Sequence, residues 1–368
     1  MWGRGARRGK ARASPRGYAL HRDVWLRYAT PPQPCQAQAS CRRSGSLSPS
    51  VLAAIYTLTS VVPSRLALNR AGSAPLVTRP DRRPWKKWTA IVELKLHYQA
   101  QPGYTQLITP GAQPVEELDF GVLRLGPGER HELRRPGYET GLVVLSGRCD
   151  ILVDGERFEN LGGRATVFAG RASGVYAPPG ATVTVSGGAE GVEVAVCRAR
   201  AEGSYPARVV RPEDVVAREV GGAGFLRYVH DILGPQIEAE RLIIGETFTV
   251  AGNWSSFPPH KHDVDALPDE VRQEEVYLYK IRPSEGFGIQ YLYSYADSPR
   301  GALEQPVVVR EDDVTLMPYG YHPVAAPPGY DVYYLWFLSG PRRLMRPHDD
   351  PRHAWIKTAT VEPREYPH

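Results

Sequence analysis

The stretch TGLVVLSGRCDILVDG at residues 140–155 is the part of the sequence that decides the fold. Short β-favouring runs lie on either side of a Ser-Gly pair, and the closing Asp-Gly is typical of a hairpin turn. The pattern predicts two strands around the Ser-Gly turn and a further strand after the Asp-Gly turn. Similar runs, separated by Gly and Pro, continue from residue 91 onward. We therefore expect an all-β protein.

Helical periodicity is nearly absent from the same region. The best candidate is RPEDVVAREV at 211–220, which has Pro near its start and acidic residues in its first turn. The sequence predicts one short helix there.

A four-residue string is repeated along the chain. APPG occurs at 177–180, before ATVTV, and again at 326–329, before YDVYYL. Upstream of each copy a strand-like run begins after a glutamate: Glu139 precedes TGLVVLSG, and Glu275 precedes VYLYKI. Duplication of a β-barrel explains this pattern. The alternative is that APPG is a common turn string in a chain with 34 Pro and 36 Gly.

The charge is divided unevenly along the sequence. Residues 1–90 contain 17 Lys and Arg against two acidic residues, a charge of +15, whereas residues 91–368 carry −10. The acidic composition of the larger part argues against nucleic-acid binding by a folded body. Only four cysteines occur, so neither a disulfide framework nor a cysteine-type zinc site is expected, and a cytoplasmic setting is the default.

Residues 1–90 are predicted to be a disordered, basic N-terminal extension. They mix Arg, Pro, Gly and Ser without a helix or strand period. Their apolar run, VLAAIYTLTSVV at 51–62, is shorter than the roughly 20 residues of a membrane-spanning helix. Three interpretations stay open: a translated upstream region without a role, an organelle-targeting segment, and a basic arm that contacts nucleic acid.

A histidine pair indicates a metal site in the second half. In PPHKHD, His260 and His262 are two residues apart, so on a strand both side chains point to one face. Glu275 begins the alternating run EVYLY, and His322 lies in the turn MPYGYHPV. Three imidazoles and one carboxylate suit Zn, Mn, Fe or Ni and leave positions open for substrate. Such pairs also arise by chance in loops, and a lone histidine can be structural.

The first half keeps the framework of the repeat but loses these ligands. Alignment of the two APPG strings places Ser173 where His322 stands, and only His131 occurs in the segment before Glu139. The pattern predicts one working site and one decayed site. Glu275 rather than Glu274 is the expected ligand, because the alternation of the run VYLY sets its face and Glu274 would point outward.

From about residue 91 to 356 the sequence resembles the 5-deoxy-glucuronate isomerases of inositol catabolism, which are bicupins. The resemblance is close over GETFTVAGNWSSFPPHKHD at 245–263, EEVYLYKIRPSEGFGIQYLYS at 274–294, PYGYHPVAAPPGYDVYYL at 318–335 and SGPRRLMRPHDDPRHAWI at 339–356. One departure is Trp336, where the family usually has Asn. The resemblance implies two double-stranded β-helix (cupin) barrels, an N-terminal half without metal over 91–225 and a metal-binding half over 226–368.

The resemblance also implies the reaction, in which 5-deoxy-D-glucuronate becomes 5-dehydro-2-deoxy-D-gluconate. The expected cofactor is one divalent ion, Zn or Mn first and Fe or Ni as alternatives, and the expected partner is a sugar acid, with homo-oligomerisation left open. Such an isomerisation needs a Lewis acid and a proton carrier. The candidate proton carriers are Glu246 and Tyr277, with a hydrogen-bonding role for Glu246 as the alternative. For substrate contacts we expect Gln290 and either Arg282 or Arg300.

Two other functions remain as alternatives at this level. Three histidines and a glutamate also serve Fe-dependent cupin oxygenases. A non-catalytic sugar-binding bicupin would have the same fold, because fold alone does not determine function.

Overall fold

The computed structural model describes residues 93–203 and 205–358. The predictions about residues 1–90 lie outside this range. Within it, 21 strands and two 3-10 helices are present, and there is no α-helix. The strands are β1 Lys95–His97, β2 Gly103–Ile108, β3 Leu118–Leu125, β4 Arg130–Arg134, β5 Tyr138–Val153, β6 Glu156–Arg164, β7 Gly174–Ala177, β8 Thr182–Arg200, β9 Arg208–Val210, β10 Val216–Val220, β11 Arg227–Leu233, β12 Ile243–Thr249, β13 Trp254–Ser255, β14 His260–Lys261, β15 Glu274–Arg282, β16 Gly288–Ser294, β17 Leu303–Val309, β18 Asp313–Met317, β19 Val324–Ala325, β20 Asp331–Ser339 and β21 His348–Asp349. The 3-10 helices are Val167–Ala169 and Ala354–Lys357.

These strands form two halves. In the N-terminal half, an eight-stranded sheet has the order β2-β3-β8-β5-β7-β9, with β4 added on β8 and β6 on β5. In the C-terminal half, a seven-stranded sheet (β1-β18-β15-β20-β12-β11-β10) is accompanied by a four-stranded sheet (β13-β19-β16-β17) and the pair β14-β21. Strands β1 and β10 precede residue 226 but pair with strands of the C-terminal half. The C-terminal sheet therefore includes one strand that comes before β2 and one that comes after β9 in the sequence.

The two halves differ in what fills them. Aliphatic side chains such as Leu142, Val144 and Val196 fill the interior of the N-terminal half. The interior of the C-terminal half instead contains the aromatic side chains of Tyr277, Tyr279, Tyr334 and Trp336. A third buried cluster joins residues of both halves. Burial of apolar area against the partner half is therefore part of what stabilises each half.

The stretch that decided the fold class is one long strand rather than two. β5 runs unbroken through Ser146 and Gly147, where its register with β8 shifts. Gly147 has φ +80°, and a Cβ there would lie 2.2 Å from the carbonyl oxygen of Gly191. The Ser-Gly pair is thus a bulge, not a reversal. Asp154 and Gly155, both with positive φ, do form the predicted hairpin turn to β6.

The helix predicted at 211–220 is not formed. A turn closes at Asp214, whose carboxylate accepts a hydrogen bond from the backbone N–H of Arg211 at 2.9 Å. The following residues, Val216–Val220, form β10 and pair with β11. A ladder of backbone hydrogen bonds to a neighbouring strand outweighs the weak helical propensity of this valine-rich run.

Two buried glutamates tie the halves together reciprocally. The carboxylate of Glu139, on β5, accepts hydrogen bonds from the backbone N–H groups of Glu240, Arg241 and Leu242 in the other half. The carboxylate of Glu274, on β15, accepts bonds from the N–H groups of two residues just before β3. Glu139 is therefore the counterpart of Glu274.

This equivalence shifts the sequence alignment by one residue. The sequence pattern pairs Glu139 with Glu275, because each precedes a similar run. Since side chains alternate along a strand, the residue of β5 that matches Glu275 is Thr140. At that position the N-terminal half has no ionisable group.

No helix among the described residues is long and apolar enough to cross a membrane.

Candidate metal centre and active site

Three predicted ligands converge in the C-terminal half. Glu275 lies at the start of β15, His262 directly follows β14, and His322 lies just before β19. One ligand atom from each lies within 4.8 Å of the others, and all three side chains are buried. Nε2 of His262 is 3.0 Å from Oε2 of Glu275, and Nε2 of His322 is 3.1 Å from the same oxygen.

The other ring nitrogens fix the direction in which these imidazoles point. Nδ1 of His262 lies 2.9 Å from the carbonyl oxygen of Gln273, and Nδ1 of His322 lies 2.9 Å from that of Gly320. A carbonyl accepts only from an N–H group, so each Nδ1 carries the proton and each Nε2 can offer a lone pair. Nε2 of His322 is completely buried and lacks a hydrogen-bond partner of good geometry. This orphaned atom, aimed at a carboxylate and a second imidazole, fits a divalent cation.

His260 lies beside this cluster rather than within it. Its ring centroid is 4.9 Å from that of His322 and 6.5 Å from that of His262. The described cluster of converging atoms does not include His260. Its side chain nevertheless lines the same cavity.

The electrostatics of the cluster favour metal binding. Burial alone would raise the pKa of Glu275, but the close approach of His262 and His322 lowers it to about 2. Burial and the neighbouring histidines hold the pKa of His260 well below its usual value, so its ring is neutral. Burial opposes the charged form of His262, whereas the contact with Glu275 raises its pKa. A carboxylate that stays ionised among imidazoles is the charge state that a cation site requires.

A cavity of about 440 Å³ opens next to these residues. Tyr277, predicted as a catalytic group, lines it, and its hydroxyl lies 3.2 Å from Oγ of Ser256. Burial raises the pKa of Tyr277 well above its ordinary value, so the phenol is protonated. The ring of Tyr277 stacks on that of Tyr334 at 4.2 Å. Trp336, the departure from the family pattern, also lines the cavity, and its indole N–H donates to Oγ1 of Thr247.

Gln290 lies inside the same half but does not line the cavity. It is fully buried, its Nε2 lies 3.3 Å from Sδ of Met317, and its Oε1 has no partner among the described residues. Met317 is the cross-strand neighbour of Glu275. Because Gln290 is buried and does not line the cavity, direct contact with substrate hydroxyls would need a rearrangement of the cavity wall.

Glu246 is not brought together with the histidines, contrary to our nomination of it as a proton carrier. Its strand neighbour Thr247 lines the cavity, so Glu246 points to the opposite face of the sheet. There it is completely buried and forms an ion pair with Arg164 of the N-terminal half at 3.0 Å. It also accepts a hydrogen bond from Tyr333 and lies 3.2 Å from Nδ1 of His230. Its position fits the hydrogen-bonding role that we had kept as the alternative.

Arg282 and Arg300 are likewise outside the cavity. The guanidinium of Arg282 pairs with Asp331 at 2.6 Å on an exposed surface. Arg300 donates to the carbonyl oxygen of Pro318. The arginines that do line the cavity are Arg218, Arg227 and Arg343, which sequence reasoning missed. No signal in the sequence pointed to Arg227, because its alternation with Val229 and Asp231 becomes informative only once these residues are seen to line the cavity.

Comparison with known proteins gives a consistent result. The model of the KduI/IolB family matches residues 91–356. A protein of Geobacillus kaustophilus named 5-deoxy-glucuronate isomerase is 40% identical over 271 residues, which cover 73% of this chain and 96% of that protein. A protein of the same name from Listeria monocytogenes is 34% identical, with 72% and 97% covered.

Solved structures give the same fold. An IolB-like protein of Salmonella typhimurium has 33% identity and a TM-score of 0.68, covering 72% of this chain and 99% of that one. The oxalate decarboxylase of Lactobacillus farciminis has 10% identity and a TM-score of 0.53, covering 74% and 92%. The all-β bicupin fold predicted from the sequence is confirmed. The match of the family model to residues 91–356, well over half of the sequence, shows that this chain belongs to the KduI/IolB family.

Proposed function

We propose that this chain is a 5-deoxy-glucuronate isomerase, which converts 5-deoxy-D-glucuronate to 5-dehydro-2-deoxy-D-gluconate. The observation that carries the proposal is the convergence of His262, Glu275 and His322 beside a cavity, in a chain whose relatives at 33–40% identity bear that name. An aldose–ketose isomerisation is redox-neutral: one proton leaves C2 and one is added at C1, while O2 loses its hydroxyl proton and O1 gains one, so that the carbonyl moves from C1 to C2.

The proposed cofactor is a single divalent ion. His262, Glu275 and His322 would hold it, with His260 completing the set after a small shift of its ring. The N/O donor set suits Zn or Mn, and Fe or Ni as alternatives. When bound, such an ion supplies Lewis-acid polarisation of the substrate carbonyl.

The N-terminal half is proposed to be a scaffold without a metal site. Thr140 and Ser173 stand where the C-terminal half has Glu275 and His322, and the interior is filled by aliphatic side chains. The proposed domain boundaries are 91–225 and 226–368. Strands β1 and β10 belong to the first range in sequence but pair with strands of the C-terminal sheet. The free, buried thiols of Cys149 and Cys197 are compatible with the proposed cytoplasmic location.

The hydroxyl of Tyr277 is proposed to donate a proton to substrate oxygen. Because the phenol stays protonated, it acts as an acid or hydrogen-bond donor rather than as the base that removes the C2 proton. The proton lost from the C2 hydroxyl of the substrate restores the phenol, and Ser256, at hydrogen-bond distance, holds the hydroxyl of Tyr277 in position.

The Tyr277→Phe variant should lower kcat by roughly 100-fold, the usual size of a lost general-acid contact. It should keep its metal content, because the phenol is not a ligand. Steady-state kinetics together with elemental analysis measure both. The matched control is Tyr279→Phe, two residues along the same face of β15 but outside the cavity lining, which should leave kcat nearly unchanged. Equal effects of the two substitutions would remove Tyr277 from the chemistry.

Turnover of 5-deoxy-D-glucuronate should be equally fast in air and under anaerobic conditions, without a nicotinamide cofactor. The reason is that the isomerisation needs no net oxidant or reductant. Product can be followed by NMR in sealed samples. An absolute requirement for oxygen would favour the Fe-dependent oxygenase. Binding of the sugar acid without any turnover would favour the non-catalytic bicupin.

A further inference from the structure

Strand β11 separates two different environments. Arg227, Val229 and Asp231 line the cavity beside the histidines. Tyr228 and His230, at the intervening positions, line a separate cleft on the other face. Alternation along the strand therefore fixes Arg227 on the active-site side.

The three arginines of the cavity are in different bonding states. Arg218 donates to both carboxylate oxygens of Asp231 at 2.8 Å. Arg343 donates to the carbonyl oxygens of Leu233, Gly234 and Leu242. These bonds hold the chain after β11 and the chain before β12 together. The guanidinium groups of Arg218 and Arg343 are therefore both engaged in hydrogen bonds within the protein.

Arg227 differs because its positive charge has no carboxylate partner among the described residues. Its Nη1 donates to the carbonyl oxygens of Phe225 and Phe257, at 3.3 Å and 2.9 Å. In the part of the chain that the structure describes, no carboxylate forms an ion pair with it. The acidic neighbour Asp349 is engaged with Lys357. A guanidinium has five N–H donors, so most of those on Arg227 remain free for a ligand.

The position of Arg227 also sets its distance from the metal ligands. Phe257, whose carbonyl it holds, is three residues before His260. Three residues of chain span at most about 10 Å, which keeps the guanidinium within reach of a small molecule bound at the histidines. Arg227 is partly buried, and a partly buried charge without a counter-ion is costly, so this arrangement calls for an anionic ligand.

We infer that Arg227 binds the carboxylate of a sugar acid whose C1–C2 end lies at His262, Glu275 and His322. The inference rests on the proposed function and adds to it the group that selects a uronate. A planar guanidinium can bind a carboxylate through two parallel hydrogen bonds, and a neutral alcohol cannot replace both. Arg227 therefore takes the role that we had expected of Arg282 or Arg300.

The test compares two substrates, 5-deoxy-D-glucuronate and 5-deoxy-D-glucose, its neutral alcohol counterpart at C6. For Arg227→Gln, kcat/KM with the acid should fall roughly 10- to 100-fold, mainly through KM, while kcat/KM with the alcohol should change little. Arg227→Lys should recover part of the loss because it restores the charge. Metal content should stay at the wild-type level. Arg157→Gln, on the exposed surface of β6, is the control and should behave as wild type.

Two results would overturn the inference: an unchanged preference for the acid in Arg227→Gln, or loss of that preference in Arg282→Gln instead. Calorimetric binding of D-glucuronate and D-glucose separates this inference from the proposed function. If the wild-type protein isomerises neither substrate, the proposed function fails. The carboxylate site is still supported if Arg227→Gln alone weakens glucuronate binding, and it fails if that binding is unaffected.

Discussion

The His322→Ala protein is expected to lose its divalent ion and at least about 1000-fold of its turnover. The imidazole is fully buried, its Nδ1 donates to the Gly320 carbonyl, and its Nε2 has no hydrogen-bond partner among the described residues and faces Glu275. Polarisation of a carbonyl by a bound cation is worth several kcal/mol, and each 1.36 kcal/mol is a factor of ten in rate. Elemental analysis of purified protein and the isomerase assay measure the two losses together.

The other ligands give a graded comparison. His262→Ala should match His322→Ala, whereas His260→Ala should retain more metal, because its ring lies outside the converging cluster. Ser173→Ala, at the counterpart of His322 in the N-terminal half, is the control and should change neither metal content nor rate. The free energy of unfolding should fall only modestly in the ligand variants, since both halves bury extensive apolar strands without the ion. Two ions per chain, or full activity in His322→Ala, would show that the site is elsewhere.

The fold class was predictable because turns and strand alternation are local properties of sequence. The Asp154-Gly155 turn and the two APPG turns before β8 and β20 lie where the pattern placed them. Gly147 was not predictable, because a glycine with positive φ serves a hairpin turn and a bulge equally well. Whether β5 reverses there depends on the close approach of Gly191, which is distant in sequence.

The convergence of three of the four candidate ligands was predictable for a similar reason. The choice of Glu275 over Glu274 needed only the parity of the run EVYLY, and the structure places Glu274 on the opposite face, against the N-terminal half. The same alternation argues against a substrate contact for Arg282. It is an odd number of residues from Glu275 on the same strand, so the two side chains point to opposite faces. Arg300 lies in a turn, where no period constrains its direction.

Glu246 could not be placed from sequence. Its strand, β12, is buried on both faces, so polar and apolar positions do not separate into an inner and an outer set. What fixes its role is Arg164, 82 residues earlier in the chain and on the other half. Contacts between the two halves leave no local pattern in the sequence of either half.

The Glu246→Ala variant should therefore lose stability rather than chemistry. The substitution leaves the guanidinium of Arg164, itself only 3% exposed, without its carboxylate partner. It also removes the acceptor for the hydroxyl of Tyr333. Removal of one member of a buried ion pair typically costs about 3–5 kcal/mol. Urea unfolding should show a loss of this size in the free energy of unfolding, and kcat measured well below the transition should stay close to wild type.

Two further variants separate a structural from a catalytic role. Glu246→Gln keeps the shape and one acceptor oxygen, so it should lose less stability than Glu246→Ala. The double variant Arg164→Met/Glu246→Leu removes both charges and should recover much of the lost stability, because an apolar pair can replace a buried ion pair of similar volume. If Glu246→Gln instead abolished turnover while the urea midpoint stayed unchanged, Glu246 would have to act on the substrate after all. The cavity would then have to extend through the sheet to the face that Glu246 shares with Arg164.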